Sequence, residues 1–190
     1  MLDSIIISTR GLKNIYDRLS FICKKLDGNI IEIGAGTGSA TKIFLESIIN
    51  KDANVIVIDP FESGWNEMPE SYGRPYPRKK FDDEVNDAIN KASLIVFEKS
   101  SQSKEAIDFI SSQKNIAFIF IDGLQFEAAV LSDLECAKNC NAKIICLDDY
   151  NRESGISQVP SAVKKFLQSN INYRLIYNEG HKEVYLIKTK

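Results

Sequence analysis

The chain has 190 residues, 44% of them apolar, which is enough for one domain with a full hydrophobic core. Its 24 lysines and arginines nearly balance 26 aspartates and glutamates, so it lacks the basic footprint that a nucleic-acid partner would need. No apolar run reaches the length of a membrane span, and the start, Met1 to Ile7, has neither a basic stretch nor a cleavage site. A soluble, cytoplasmic protein with no membrane contact is expected.

Taken in chain order, Leu12, Ile15, Leu19, Ile22 and Leu26 recur at three-to-four spacing, which predicts an amphipathic helix within an N-terminal helical segment, 1–28. Next comes Asn29-Ile30-Ile31-Glu32-Ile33-Gly34-Ala35-Gly36-Thr37-Gly38. An apolar run ends in an acid and is followed by three alternate glycines, then by a helix-like segment over 39–50. This reads as a buried strand (29–34), a tight turn and a helix N-terminus, with a backbone that can approach a ligand closely. A second apolar run, 54–59, ends in Asp59, an acid at the tip of the neighbouring strand and in position to bind ribose hydroxyls.

The residues from 60 to 81 fit no regular element and carry Trp65, Tyr72 and Tyr76 with Pro69, Pro75 and Pro77. The segment leaves the carboxyl edge of the sheet, so its expected uses are a lid-like substrate wall, a homodimer contact or a passive insertion. Beyond it, strands are predicted at 94–98, 116–122 and 143–148, and helices near 82–92, 104–113, 125–139 and 158–169. Runs as continuous as Ile116 to Ile121 suit strands covered on both faces. The alternation implies right-handed crossovers and a doubly wound, Rossmann-like α/β fold. Two closing strands, Tyr173 to Tyr177 and Glu183 to Thr189, are joined by a short turn. They make a C-terminal antiparallel hairpin and bring the mostly parallel sheet to seven strands. Cys23, Cys136, Cys140 and Cys146 form neither a disulfide framework nor a zinc pattern and are expected as buried thiols.

Asp122 ends the fourth strand and Asp148-Asp149 the fifth. Neighbouring strands lie about 4.8 Å apart, so these acids converge, and they repel unless protons or a cation intervene. Hard oxygen ligands suit Mg²⁺, with Mn²⁺ or Ca²⁺ as alternatives. Turn or helix capping is the plain structural reading of the Asp148-Asp149 pair. The only histidine, His181, sits in the hairpin turn. Its ordinary pKa suits a general base, although an exposed turn histidine is usually just solvated.

The dinucleotide fingerprint requires a third glycine at the position of Ser39, and no Gly-Lys-Ser/Thr phosphate loop is present. The Glu32-x-Gly34-x-Gly36-x-Gly38 spacing instead resembles motif I of class I S-adenosylmethionine-dependent methyltransferases. The terminal hairpin on a parallel sheet resembles their architecture across the whole chain, 1–190. That likeness implies that Glu32, Gly34, Gly36 and Gly38 cradle the methionine end of S-adenosylmethionine, with Asp59 on the ribose. Within the class, Asp59-Pro60-Phe61-Glu62-Ser63-Gly64, with Met68-Pro69-Glu70 beyond, looks like the Asp-x-Phe-Glu-Gly-x-Pro segment of macrocin-type O-methyltransferases. Ser101-Gln102 resembles the pair that catechol-type enzymes place beside the adenine. In both types, acids matching Asp122, Asp148 and Asp149 hold a divalent metal, and Asp122 borders the cofactor as well. The implied activity is methyl transfer to a hydroxyl of a small molecule or sugar. One departure stands out: where relatives carry a general base after the fourth strand, this chain has Leu124 and Gln125. A metal-independent methyltransferase and a non-catalytic S-adenosylmethionine-binding protein are therefore the rival readings.

Overall fold

Successive residues of a strand point to opposite faces, so strands such as Ile-Ala-Phe-Ile-Phe-Ile bury both faces only if helices cover each. The computed structural model, which describes residues 2–50, 52–63, 76–151, 157–177 and 180–189, has this arrangement. Helices α1 (Leu2–Ile7) and α2 (Ile15–Cys23) precede the alternating part of the chain. There follow β1 (Asn29–Ile33), α3 (Ser39–Ser47), β2 (Asn54–Ile58), α4 (Arg78–Val85), β3 (Ser93–Phe97), α5 (Lys104–Ser112) and β4 (Ile116–Ile121). The chain closes with α6 (Glu127–Asn139), β5 (Ile144–Leu147), α7 (Val159–Ser169), β6 (Tyr173–Tyr177) and β7 (Val184–Lys188).

The seven strands are ordered β3-β2-β1-β4-β5-β7-β6. Strands β1 to β5 are mutually parallel, and β7 is antiparallel to both β5 and β6. By that register β6 runs with the parallel set, and the β6–β7 turn lies at the carboxyl edge. Ile31, Ile33, Ile119, Ile121 and Ile145 point to the face packed by α5, α6 and α7. Their neighbours Ile30, Phe118, Phe120 and Ile144 point to the face packed by α1 to α4. All four cysteines are buried and free. Among the described residues no helix is long and apolar enough to cross a membrane.

Most predicted strand and helix bounds shift by no more than two residues, but two helices move further. The helix expected over 82–92 begins at Arg78 and ends at Val85, and a 3₁₀ turn (Ile89–Lys91) follows it. Pro77, with φ −63°, presets the entry, and the Glu62 carboxylate accepts the Arg78 N–H, so the helix starts a turn early. Helix α3 stops at Ser47, short of the predicted residue 50. Trp65, Met68, Pro69, Tyr72 and Pro75 lie outside the described residues, whereas Tyr76 and Pro77 lie within them.

Candidate functional site

The strand order reverses between β1 and β4, and the crevice there is where open α/β sheets bind ligands. Asp59, Asp122 and Asp148 are each the first residue past a strand, and each extends the ladder by one main-chain hydrogen bond. The amide of Asp59 donates to Phe97 O (3.3 Å), that of Asp122 to Ile33 O (2.8 Å) and that of Asp148 to Ile121 O (3.1 Å). The sheet itself thus fixes where the carboxylates begin.

At β1 the glycine turn packs against the residues that follow β4. Gly34 has φ +85°, and a Cβ there would lie 2.5 Å from Asp122 O. Only glycine fits, on conformational and on steric grounds. The Tyr76 ring lies about 3.5 Å from where a Gly36 Cβ would be, so the far end of the 60–81 segment returns over the turn. Asp59 is buried and its carboxylate holds the turn. One oxygen accepts from Ala35 N (2.8 Å) and Gly36 N (3.0 Å), and the other from Phe61 N (2.7 Å). Glu32 is buried beneath them and accepts the Thr41 hydroxyl. Burial pushes its carboxyl up to about 8, the Thr41 hydrogen bond opposes the rise, and the charges of Asp122 and Asp59 add to it.

At the tips of β4 and β5, Asp122, Asp148 and Asp149 offer carboxylate oxygens that all lie within 4.8 Å of one another. Asp148 Oδ1 is buried with no hydrogen-bond partner among the described residues. Burial holds its carboxyl above the ordinary aspartate range, with Asp149 and Glu183 adding negative charge. Asp149 takes a left-handed conformation (φ 53°), which turns its side chain out of the strand alternation, and it accepts the Gln125 amide. The donor set suits a hard divalent ion: a cation would pair the orphaned Asp148 oxygen and offset the repulsion.

Ser101 and Gln102 follow β3. The Gln102 amide nitrogen donates to Ser101 Oγ (3.0 Å) and to Asp133 Oδ1 on α6 (3.0 Å). Asp133 is fully buried, and desolvation raises it to about 7 against the Ser101 and Gln102 contacts. The sequence reading missed it, since one acid in the middle of a mixed helix carries no pattern.

His181 is placed differently from a solvated turn histidine. Its side chain is 10% exposed, and Nδ1 lies 3.6 Å from Glu183 Oε1. Glu183 is fully buried and pairs with both arms of the buried Arg18 guanidinium, at 2.5 and 2.8 Å. The main chain of the turn is tied to the β5 side by Asn151 N to Lys182 O and Asn151 Nδ2 to His181 O, both 3.1 Å. Neither Arg18 nor Glu183 belongs to a motif, and only the fold brings them together. Asp122, Asp148 and Asp149 thus form one cluster. Glu32 and Asp59 lie under the glycine turn, and Ser101 and Gln102 are engaged with α6.

No protein-family model and no curated protein matches the sequence. Solved structures do. The O-methyltransferase NovP aligns at TM-score 0.63 with 18% identity, over 95% of this chain and 80% of that one. CalS11, a TDP-rhamnose 3'-O-methyltransferase of calicheamicin biosynthesis, aligns at 0.61 with 16% identity, over 95% and 79%. An O-methyltransferase from Bacillus cereus in complex with S-adenosylhomocysteine aligns at 0.59 with 15% identity, over 100% and 90%. The fold is that of class I S-adenosylmethionine-dependent methyltransferases. The likeness runs through the whole sheet, terminal hairpin included, and O-methyltransferases are prominent among the chains that share it.

Proposed function

We propose that this protein is an S-adenosylmethionine-dependent O-methyltransferase that acts on a hydroxyl of a small molecule or sugar, with a divalent ion such as Mg²⁺ assisting. One observation carries the reading. A glycine turn locked by a buried acid and a three-carboxylate cluster share one sheet edge, on either side of the strand-order reversal. The first suits an adenosine ligand and the second an oxygen ligand. CalS11, a methyltransferase for a nucleotide sugar, supports a sugar as one acceptor class. A cytoplasmic setting belongs to the same reading.

In this scheme Gly34, Gly36 and Gly38 keep the turn open for the methionine end, and Glu32 beneath it completes the cradle. Asp59 spends two acceptor positions on the turn and one on Phe61 N, and has one left for a ribose hydroxyl. Ser101 and Gln102 border the adenine, and Asp122 lies between cofactor and metal. Asp122, Asp148 and Asp149 would hold the ion, which when bound lowers the pKa of an acceptor hydroxyl. The protein's share of the in-line displacement is positioning and removal of the acceptor's proton. Leu124 and Gln125 cannot take that proton, and His181 is the base proposed in their place. A second reading has one observation in its favour: the Gln125 amide already occupies an Asp149 oxygen, as a metal-independent or non-catalytic S-adenosylmethionine-binding protein would allow.

Calorimetric titration tests the proposal. S-adenosylhomocysteine is expected to bind and NAD to show no heat. After EDTA treatment and dialysis, Mg²⁺ is expected to bind in a single event. Tight NAD binding without a response to S-adenosylhomocysteine sinks the methyltransferase reading, and absence of Mg²⁺ binding moves it to the metal-independent form.

A further inference from the structure

His181, Glu183 and Arg18 form a buried line on one face of the sheet edge, next to the acid cluster. Val184 pairs with Leu147, so Glu183 is the residue opposite Asp148. Strand alternation puts both on the face of Cys146 and Tyr185, which pack with Leu19 and Ile22 of α2. From that helix Arg18 reaches Glu183 with Nε and one terminal nitrogen. Its other terminal nitrogen donates to Leu12 O and Lys13 O, both at 2.7 Å. The Tyr185 hydroxyl donates to Glu183 Oε1 from 3.1 Å. Three hydrogen bonds from two side chains, Arg18 and Tyr185, therefore hold Glu183 in place. His181 Nδ1, buried and without a hydrogen-bond partner among the described residues, lies 3.6 Å from that fixed oxygen, about half an ångström beyond hydrogen-bond range.

We propose that Arg18 and Glu183 are positioning residues for His181: a small shift of the imidazole toward the held carboxylate lets Glu183 accept a hydrogen bond from protonated Nδ1 and leaves the lone pair on Nε2. In that tautomer the imidazole is a ready base at the edge where Asp148 sits. A buried ion pair adds little net stability over well-packed apolar residues, so what this one contributes is orientation. It offers a route around the non-ionisable pair Leu124 and Gln125. The base role rests on the methyltransferase reading, whereas the orientation does not.

The chain's single histidine makes the test direct. Long-range proton–nitrogen correlation spectra of labelled protein at about pH 9, above the ordinary histidine range, report one imidazole and its tautomer. The wild-type protein is expected to be protonated on Nδ1. The double variant Arg18→Met/Glu183→Met removes the acceptor without stranding either charge, and is expected to shift to the Nε2-protonated form that free histidine favours. It should still bind S-adenosylhomocysteine within about twofold of wild type, since the turn is a separate site. Nε2 protonation in the wild-type protein, or an unchanged tautomer in the double variant, overturns the proposal. Failure of the wild-type protein to bind S-adenosylhomocysteine counts against the methyltransferase reading alone.

Discussion

The tips of β1 and β2 and the edge of β4, β5 and β7 both rely on acids at strand ends, yet they are finished to different degrees. At the first, Asp59 is held by three main-chain N–H groups and Glu32 accepts the Thr41 hydroxyl. At the second, Asp148 Oδ1 and His181 Nδ1 are buried without hydrogen-bond partners among the described residues. Buried polar groups are ordinarily satisfied, and exceptions mark places where a ligand or a proton completes the set. The glycine turn is thus a shape made in advance. The second edge is a charge arrangement with two buried polar atoms left open.

The largest effect that would sharpen this contrast belongs to the second edge. If His181 is the base, His181→Ala should lower the methyl-transfer rate by roughly 10²–10⁴-fold, with S-adenosylhomocysteine affinity unchanged. Steady-state rates beside calorimetric titrations decide it, and a rate within a few-fold of wild type would return the proton to solvent or metal.

Next comes pH dependence at the glycine turn. Glu32 is held up to about 8, above its unfolded value, so folding favours its protonated form. The stability gained is complete below the unfolded carboxylate range and is lost as pH rises through about 8. Denaturant unfolding from pH 4 to 9 should show Glu32→Gln gaining on wild type by on the order of 3–5 kcal/mol as pH rises. Parallel profiles would mean that Glu32 stays ionised throughout.

Gly34→Val should cost about 3 kcal/mol in the same assay and abolish cofactor binding, because its side chain meets the Asp122 carbonyl at positive φ. Asp59→Ala strands three N–H groups rather than one ribose contact, at about 1–3 kcal/mol for each donor left buried. S-adenosylhomocysteine affinity should fall by about 10²-fold, as the turn loses its shape. The smallest effect tests independence. Asp148→Asn should weaken Mg²⁺ binding about tenfold, or 1.4 kcal/mol, yet leave S-adenosylhomocysteine within about twofold. A larger change in cofactor affinity would join the two regions into one site.

How much of this could be read from the chain depended on distance. The glycine turn, its partner acid and the alternating strands are local patterns whose periods follow from the backbone, and they stand where the sequence puts them. The β6–β7 hairpin was equally local, and its parallel first strand carries His181 to the carboxyl edge. The start of α4 escaped because Glu62 caps it from 16 residues away. Asp133 escaped because its role comes from α6 packing beside Gln102. Glu183 looks like an ordinary strand-end acid until the fold brings Arg18 to it across 165 residues.

That span has a consequence for biosynthesis. A chain threading out of the ribosome exposes Arg18 long before Glu183 exists, so α2 can dock only provisionally, with an unneutralised guanidinium facing an unfinished sheet. Contacts of such sequence separation delay folding, and interim states with uncovered strands invite aggregation. The strand that covers β5 is β7, which begins with the same glutamate's neighbour, Val184, paired with Leu147. Until those residues arrive, the apolar edge of β5 has no strand to cover it.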